Sequence, residues 1–129
     1  MQLTKPRILY VEDHEDTRES ISLLLKFSDY DVVDMDSGTT ALSQAQREHF
    51  DLYLFDSRLP DVSGVELCRK IREFDASTPI LFFSGVAYEA EKQSALKCGA
   101  QGYLTKPDDM DALADTISRL IKDSRAVVY

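Results

Sequence analysis

Two apolar patterns alternate along the chain: short unbroken runs, and stretches in which apolar residues recur every three or four positions. The central run, residues 52–55 (LYLF), passes directly into Asp56 and then into a turn carrying Pro60 and Gly64. An unbroken run of that length is the pattern of a strand covered on both faces, because neither face has to meet water. After Gly64 the spacing changes to a helical one, with Val65, Cys68, Ile71 and Phe74 on one side. The same alternation runs from end to end. Residues 8–11 form an apolar run that stops at Glu12 and Asp13, and from Glu15 a helix is predicted with Thr17, Ile21, Leu24, Leu25 and Ser28 on one face. Val32, Val33 and Met35 give a shorter, more polar strand whose acidic neighbours suit a sheet edge. Ser37 is placed to cap a helix through Glu48 that turns Ala41, Leu42 and Ala45 inward.

In the second half, Thr78-Pro79 leads into a run at 80–83 that ends at Ser84-Gly85. Residues 87–98 predict a weakly amphipathic helix, loosely held, with Gly99 as its stop. A short strand at Tyr103-Leu104 closes at Lys106-Pro107. Residues 108–122 then show the clearest helical period, at Met110, Leu113, Ala114, Ile117, Leu120 and Ile121. Strand and helix thus alternate five times with short connections, which predicts an α/β fold: a parallel sheet with helices on both faces.

At 129 residues with 43% hydrophobic content, the chain fits one domain over 1–129, with a core at about 6–123 and a short tail at 124–129. A formal charge of -8, from 15 basic and 23 acidic residues, argues against nonspecific binding to nucleic acid or anionic lipid, which need a basic surface. No stretch is long and apolar enough to span a bilayer and no secretory leader is evident, so a cytoplasmic location is expected. Cys68 and Cys98 fall in helical patterns and read as reduced, packed thiols. His14 and His49 read as solvated histidines, with no metal spacing between them.

Charge and pattern meet at the strand ends. Glu12 and Asp13, Asp56, Ser84 and Lys106 each close a predicted strand, and in a parallel sheet all of these ends lie on one edge, where α/β folds bind ligands. Taken singly, each is ordinary: acids at a helix start, a turn aspartate, a Ser-Gly or Lys-Pro turn. Together they form a site. Two carboxylates about 4 Å apart repel by roughly 4 kcal/mol at an effective dielectric of 20, so the cluster calls for a cation. Hard oxygen donors in a small cup suit Mg²⁺. With its charge neutralised, Asp56 can attack phosphorus and form an acyl phosphate, Lys106 supplying a point charge and Ser84 a hydroxyl donor to the phosphoryl oxygens.

The segments ILYVEDHE, LYLFDSRLPDVSGVEL, LFFSG and GYLTKP, in that order over about residues 6–123, resemble the receiver domain of two-component response regulators. The resemblance implies a flavodoxin-like three-layer sandwich whose five-stranded parallel sheet has the order 2-1-3-4-5, with five helices on its two faces. It implies Asp56 as phosphoacceptor, Asp13 and Asp56 as direct Mg²⁺ ligands together with the Arg58 carbonyl, and Glu12 acting through water. Ser84 and Lys106 become phosphoryl contacts, and Tyr103 the aromatic that changes rotamer on activation. The implied donor is a sensor histidine kinase or histidine phosphotransfer domain. The implied output is a downstream target protein or an output domain elsewhere, read from the face of the helix at 87–98, the strand at Tyr103 and the last helix. A phosphorylation-dependent dimer is a further partner that the resemblance admits. Five positions depart from the commonest pattern: Glu12 and Ser84 replace Asp and Thr, Asp108 replaces an apolar residue, and Gln101-Gly102 stands where the DNA-binding subfamily tends to carry two acids.

On this reading the protein is a switch and not an enzyme beyond its own phosphorylation and slow dephosphorylation. The resemblance places Arg58 and Val86 beside the path of an attacking water, and neither has a group suited to orienting it. The alternative is an interaction module with the same fold that is never phosphorylated. Enzymes of similar topology fit less well. Glu12, Asp13, Glu15 and Asp16 would repel a flavin phosphate, no Walker sequence is present, and Arg58 stands where haloacid dehalogenase phosphatases carry a second Asp.

Overall fold

Along each strand successive side chains leave on opposite sides, and at residues 8–11, 52–55 and 80–83 both sides are apolar. The computed structural model describes residues 4–86 and 88–125. Its elements run β1 (Arg7–Val11), α1 (Glu15–Phe27), β2 (Asp31–Met35), α2 (Gly38–Arg47), β3 (Leu52–Phe55), α3 (Gly64–Arg72), β4 (Ile80–Ser84), α4 (Glu89–Lys97), β5 (Gly102–Thr105) and α5 (Leu113–Arg125), with a 3-10 turn at Met110–Ala112 before α5. The strands are all parallel, in the order β2-β1-β3-β4-β5. β2 is the edge strand that its polar pattern predicts.

Alternation produces two cores. Leu9, Val11, Tyr53, Phe55, Ile80 and Phe82 face the layer of α2, α3 and α4, where Ala41, Leu67, Ile71 and Ala95 meet them. Ile8, Tyr10, Leu52, Leu54, Leu81 and Phe83 face α1 and α5 through Ile21, Leu25, Leu113 and Ile117. β3 and β4 are buried throughout, as their unbroken apolar runs require. Each fully buried Leu, Ile or Phe contributes about 1.5–3 kcal/mol of transfer free energy, so these two strands anchor the sheet.

Several local expectations change. Leu24 lies outward at 39% exposed, and the buried α1 positions are Ile21, Ser22 and Leu25. Ser22 can be buried because its hydroxyl donates to Asp34 at 2.7 Å, a partner in β2 that no helical periodicity could reveal. Phe74 falls beyond the end of α3 and is 44% exposed, and Leu67 takes the inward place. The last helix begins at Leu113 and not at Asp108, because residues 106–112 are taken up by turns and the 3-10 segment. Ser37 caps α2 as expected, and Gly99, at φ 109°, ends α4 in the left-handed region that favours glycine. Ala87, the expected start of the fourth helix, and the tail at 126–129 lie outside the described residues.

Candidate functional site

The backbone ladder continues one residue past each strand and aligns the polar ends. Glu12 N–H donates to Met35 O at 3.0 Å, Asp56 N–H to Val11 O at 3.0 Å, and Lys106 N–H to Ser84 O at 2.8 Å. Four strand ends separated by up to 94 residues in sequence therefore open onto one cup. Glu12, Asp13 and Asp56 each offer a carboxylate oxygen within 4.8 Å of the others. Glu12 is buried, Asp13 exposed, and the Asp56 side chain 13% exposed. Hard oxygen donors of this number and spacing fit a divalent cation such as Mg²⁺.

Lys106 occupies a different place from a free phosphoryl contact. Its Nζ donates to Glu12 Oε1 at 2.5 Å and lies 3.9 Å from Asp56 Oδ2. Glu12 Oε2 also accepts from the His14 backbone N–H at 3.1 Å, so the one buried acid of the cup has both oxygens engaged. His14 itself caps α1, and its Nδ1 accepts from Thr17 N–H. Burial pushes the Asp56 carboxyl above the usual carboxylate range; Lys106 pulls it back and Glu12 raises it further. The hydroxyl of Tyr10, buried under the cup, has no hydrogen-bond partner among the described residues.

Behind Asp56 a chain of hydroxyls leads toward β5. Ser57 N–H donates to Asp56 Oδ1 at 2.8 Å, the Ser57 and Ser84 hydroxyls hydrogen-bond to each other, and Val86 N–H donates to Ser84 Oγ at 3.1 Å. Tyr103 closes the chain. Its hydroxyl donates to Val86 O at 2.6 Å and lies 3.5 Å from Ser57 Oγ, while its ring stacks on Phe82 with centroids 5.7 Å apart. Arg58 leaves the cup, extending over the surface to Glu91 of α4 at 3.1 Å.

All the residues expected from the sequence, Glu12, Asp13, Asp56, Arg58, Ser84, Tyr103 and Lys106, thus lie in or around one cup. Two participants had no sequence signal of their own. Ser57 is 27 positions from Ser84, and Glu91 is 33 from Arg58. Only the buried state of Ser57, 4% exposed, shows that its hydroxyl must find a partner.

Comparison with known proteins agrees with this geometry. The model of the response regulator receiver domain matches residues 8–118. The chain belongs to that family. Among curated proteins, the receiver is 35% identical over 119 residues to the cell cycle response regulator CtrA of Brucella ovis, covering 92% of this chain and 51% of that protein. It spans about half the length of the curated relatives it matches. Among solved structures, the receiver resembles a CheY-like receiver domain protein from Methanospirillum hungatei, at 28% identity and TM-score 0.82, covering 92% of this chain and 98% of that one. It also resembles the receiver domain of the sensor histidine kinase PA1611 from Pseudomonas aeruginosa, at 29% identity and TM-score 0.84, covering 92% of this chain and 98% of that one. That structure has a magnesium ion coordinated in its active site cleft. The receiver is therefore a two-component signalling module, and among its described residues no helix is long and apolar enough to cross a membrane.

Proposed function

We propose that this receiver accepts a phosphoryl group on Asp56, with Mg²⁺ in the cup of Glu12, Asp13 and Asp56. The observation that carries this reading is the placement of a largely buried carboxylate 3.9 Å from a lysine and within 4.8 Å of two further acids, at the open edge of the sheet. Asp13 and Asp56 are the direct ligands in this reading, with the Arg58 carbonyl, and Glu12 acts through water. Bound Mg²⁺ supplies positive charge against the carboxylates and the phosphoryl oxygens. An oxygen of Asp56 attacks phosphorus, the bond between phosphorus and the donor imidazole nitrogen breaks, and its electron pair returns to the ring, which regains a proton. Ser84 and Lys106 then hold the phosphoryl oxygens. For this each leaves a partner it has now, Ser57 for Ser84 and Glu12 for Lys106.

The donor in this reading is a sensor histidine kinase or a histidine phosphotransfer domain. The recipient is a downstream target or an output domain, and a phosphorylation-dependent dimer belongs to the same scheme. Residues 6–123 act as one receiver unit, and the free thiols of Cys68 and Cys98 suit a reducing compartment such as the cytoplasm. Phosphoryl loss is slow, because Arg58 is paired with Glu91 and the Val86 side chain has no group to orient water.

Incubation with Mg²⁺ and a small phosphodonor, followed by intact mass, tests the reading. One added phosphoryl, absent from Asp56→Asn and from protein stripped of metal, is the expected result. No uptake under any of these conditions would favour an interaction module that is never phosphorylated.

A further inference from the structure

Cys68 sits in the middle of α3, fully buried, and Cys98 is the half-buried residue that ends α4. Both are free thiols. Thirty positions apart in sequence, they meet because the end of α4 is drawn onto α3. Ala95 and Ala100 are buried there, and the Arg72 guanidinium donates to Gly99 O at 2.8 Å. The Cys68 thiol donates to the Cys98 carbonyl at 3.4 Å, and the Cys98 thiol donates to Ala95 O at 3.0 Å.

The pair is chemically unequal. The neighbouring Cys68 thiol, with help from Arg69, holds the Cys98 thiol below its usual range, and Cys98 is the residue nearer to solvent. The same contact, together with burial, pushes the Cys68 thiol up. A more acidic, accessible thiol beside a buried one is the arrangement of an attacking and a resolving cysteine.

We propose that Cys98 and Cys68 are a peroxide-oxidised pair whose reversible disulfide ties α4 to α3. The Cys98 thiolate attacks one oxygen of the peroxide, the O–O bond breaks, and the departing hydroxide takes a proton to become water, leaving a sulfenic acid. The Cys68 sulfur gives up its proton and attacks the Cys98 sulfur, and the S–O bond breaks to release a second water. Two thiols and one hydrogen peroxide thus give one disulfide and two waters, and a dithiol reductant reverses the change. The element restrained is the least anchored helix of the described structure, since Ala95 is the one buried residue of α4. The bond itself does not depend on phosphorylation; its value as a control on signalling rests on the receiver reading above.

Treating the full chain with hydrogen peroxide and measuring intact mass without reductant tests the proposal. The expected result is a loss of about 2 Da, a peptide map joining Cys68 to Cys98, and restoration by dithiothreitol. Cys98→Ser should abolish the loss, and Cys68→Ser should leave a sulfenic acid at Cys98 that dimedone traps. Unchanged mass, oxygen added to wild-type Cys98 without loss of hydrogen, or disulfides only between chains would overturn it. In the oxidised protein, amide exchange across α4 should slow by about tenfold; unaltered exchange beside a confirmed crosslink would refute the restraint. Phosphoryl uptake by the reduced protein is scored separately, so failure of the receiver reading leaves the mass result interpretable.

Discussion

Asp56 is held in a place that costs the metal-free protein stability. With 13% of its side chain exposed and Glu12 beside it, the carboxyl has its proton affinity raised by burial first, and Lys106 offsets the effect only in part. Because the folded-state pKa lies above the unfolded one, the folded chain holds the proton more tightly. The contribution of Asp56 to stability is therefore greatest below the ordinary carboxylate range and is lost as pH rises through the folded value. Asp56→Asn removes the titrating charge, so without metal its denaturant midpoint at pH 7 should exceed that of the wild type, and the difference should shrink toward pH 4. A lower midpoint at pH 7 would contradict this account. Asp13, being exposed, should show a smaller effect, since water screens its charge.

Among the elements, α3 sets the loop that carries Asp56. Ser63 caps the helix by accepting from Glu66 N–H at 3.1 Å, and Gly64 N–H donates to Ser57 O at 2.9 Å, so the helix start is fastened beside Asp56. A Cβ on Gly64 would stand 2.4 Å from Asp56 O and 2.7 Å from the Phe82 ring, closer than packing allows. Gly64→Ala should therefore cost about 1–3 kcal/mol in stability and slow phosphoryl uptake by displacing the Asp56 backbone. Denaturant unfolding and uptake measured together check this, and wild-type values for both would count against it. The contrast with α4 is instructive: α3 buries Gly64, Leu67, Cys68 and Ile71, while α4 buries Ala95 alone. One helix is scaffold and the other is free to respond.

At the scale of the molecule, two sets of contacts lead away from the cup, one toward β5 and one to that loosely held helix. One passes from Ser57 through Ser84 and Val86 to the Tyr103 hydroxyl, and the other joins Arg58 to Glu91 across the surface. Moving Ser84 and Lys106 onto a phosphoryl group would disturb the first route at its source, beside a helix that has Ala95 as its one buried anchor. A phosphoryl mimic with Mg²⁺ should alter amide exchange in α4, β5 and the start of α5. Changes confined to residues 15–50 would defeat that expectation.

The sequence by itself determined the element order, the parallel sheet and the residues that close its strands, because burial on both faces writes unbroken apolar runs and each run ends where polar backbone must emerge. β3 with Asp56 and β4 with Ser84 were legible in this way from a few residues each. Helix faces were less so: Leu24 and Phe74 fit a helical period as well as Ser22 and Leu67 did, and only the neighbours across the layer decided among them. The partnerships inside the cup were decided by tertiary structure alone. Lys106 meets Glu12 across 94 positions, Ser57 meets Ser84 across 27, and Cys68 meets Cys98 across 30. Local pattern records whether a side chain is buried, but which partner satisfies it depends on distances set when the whole sheet closes.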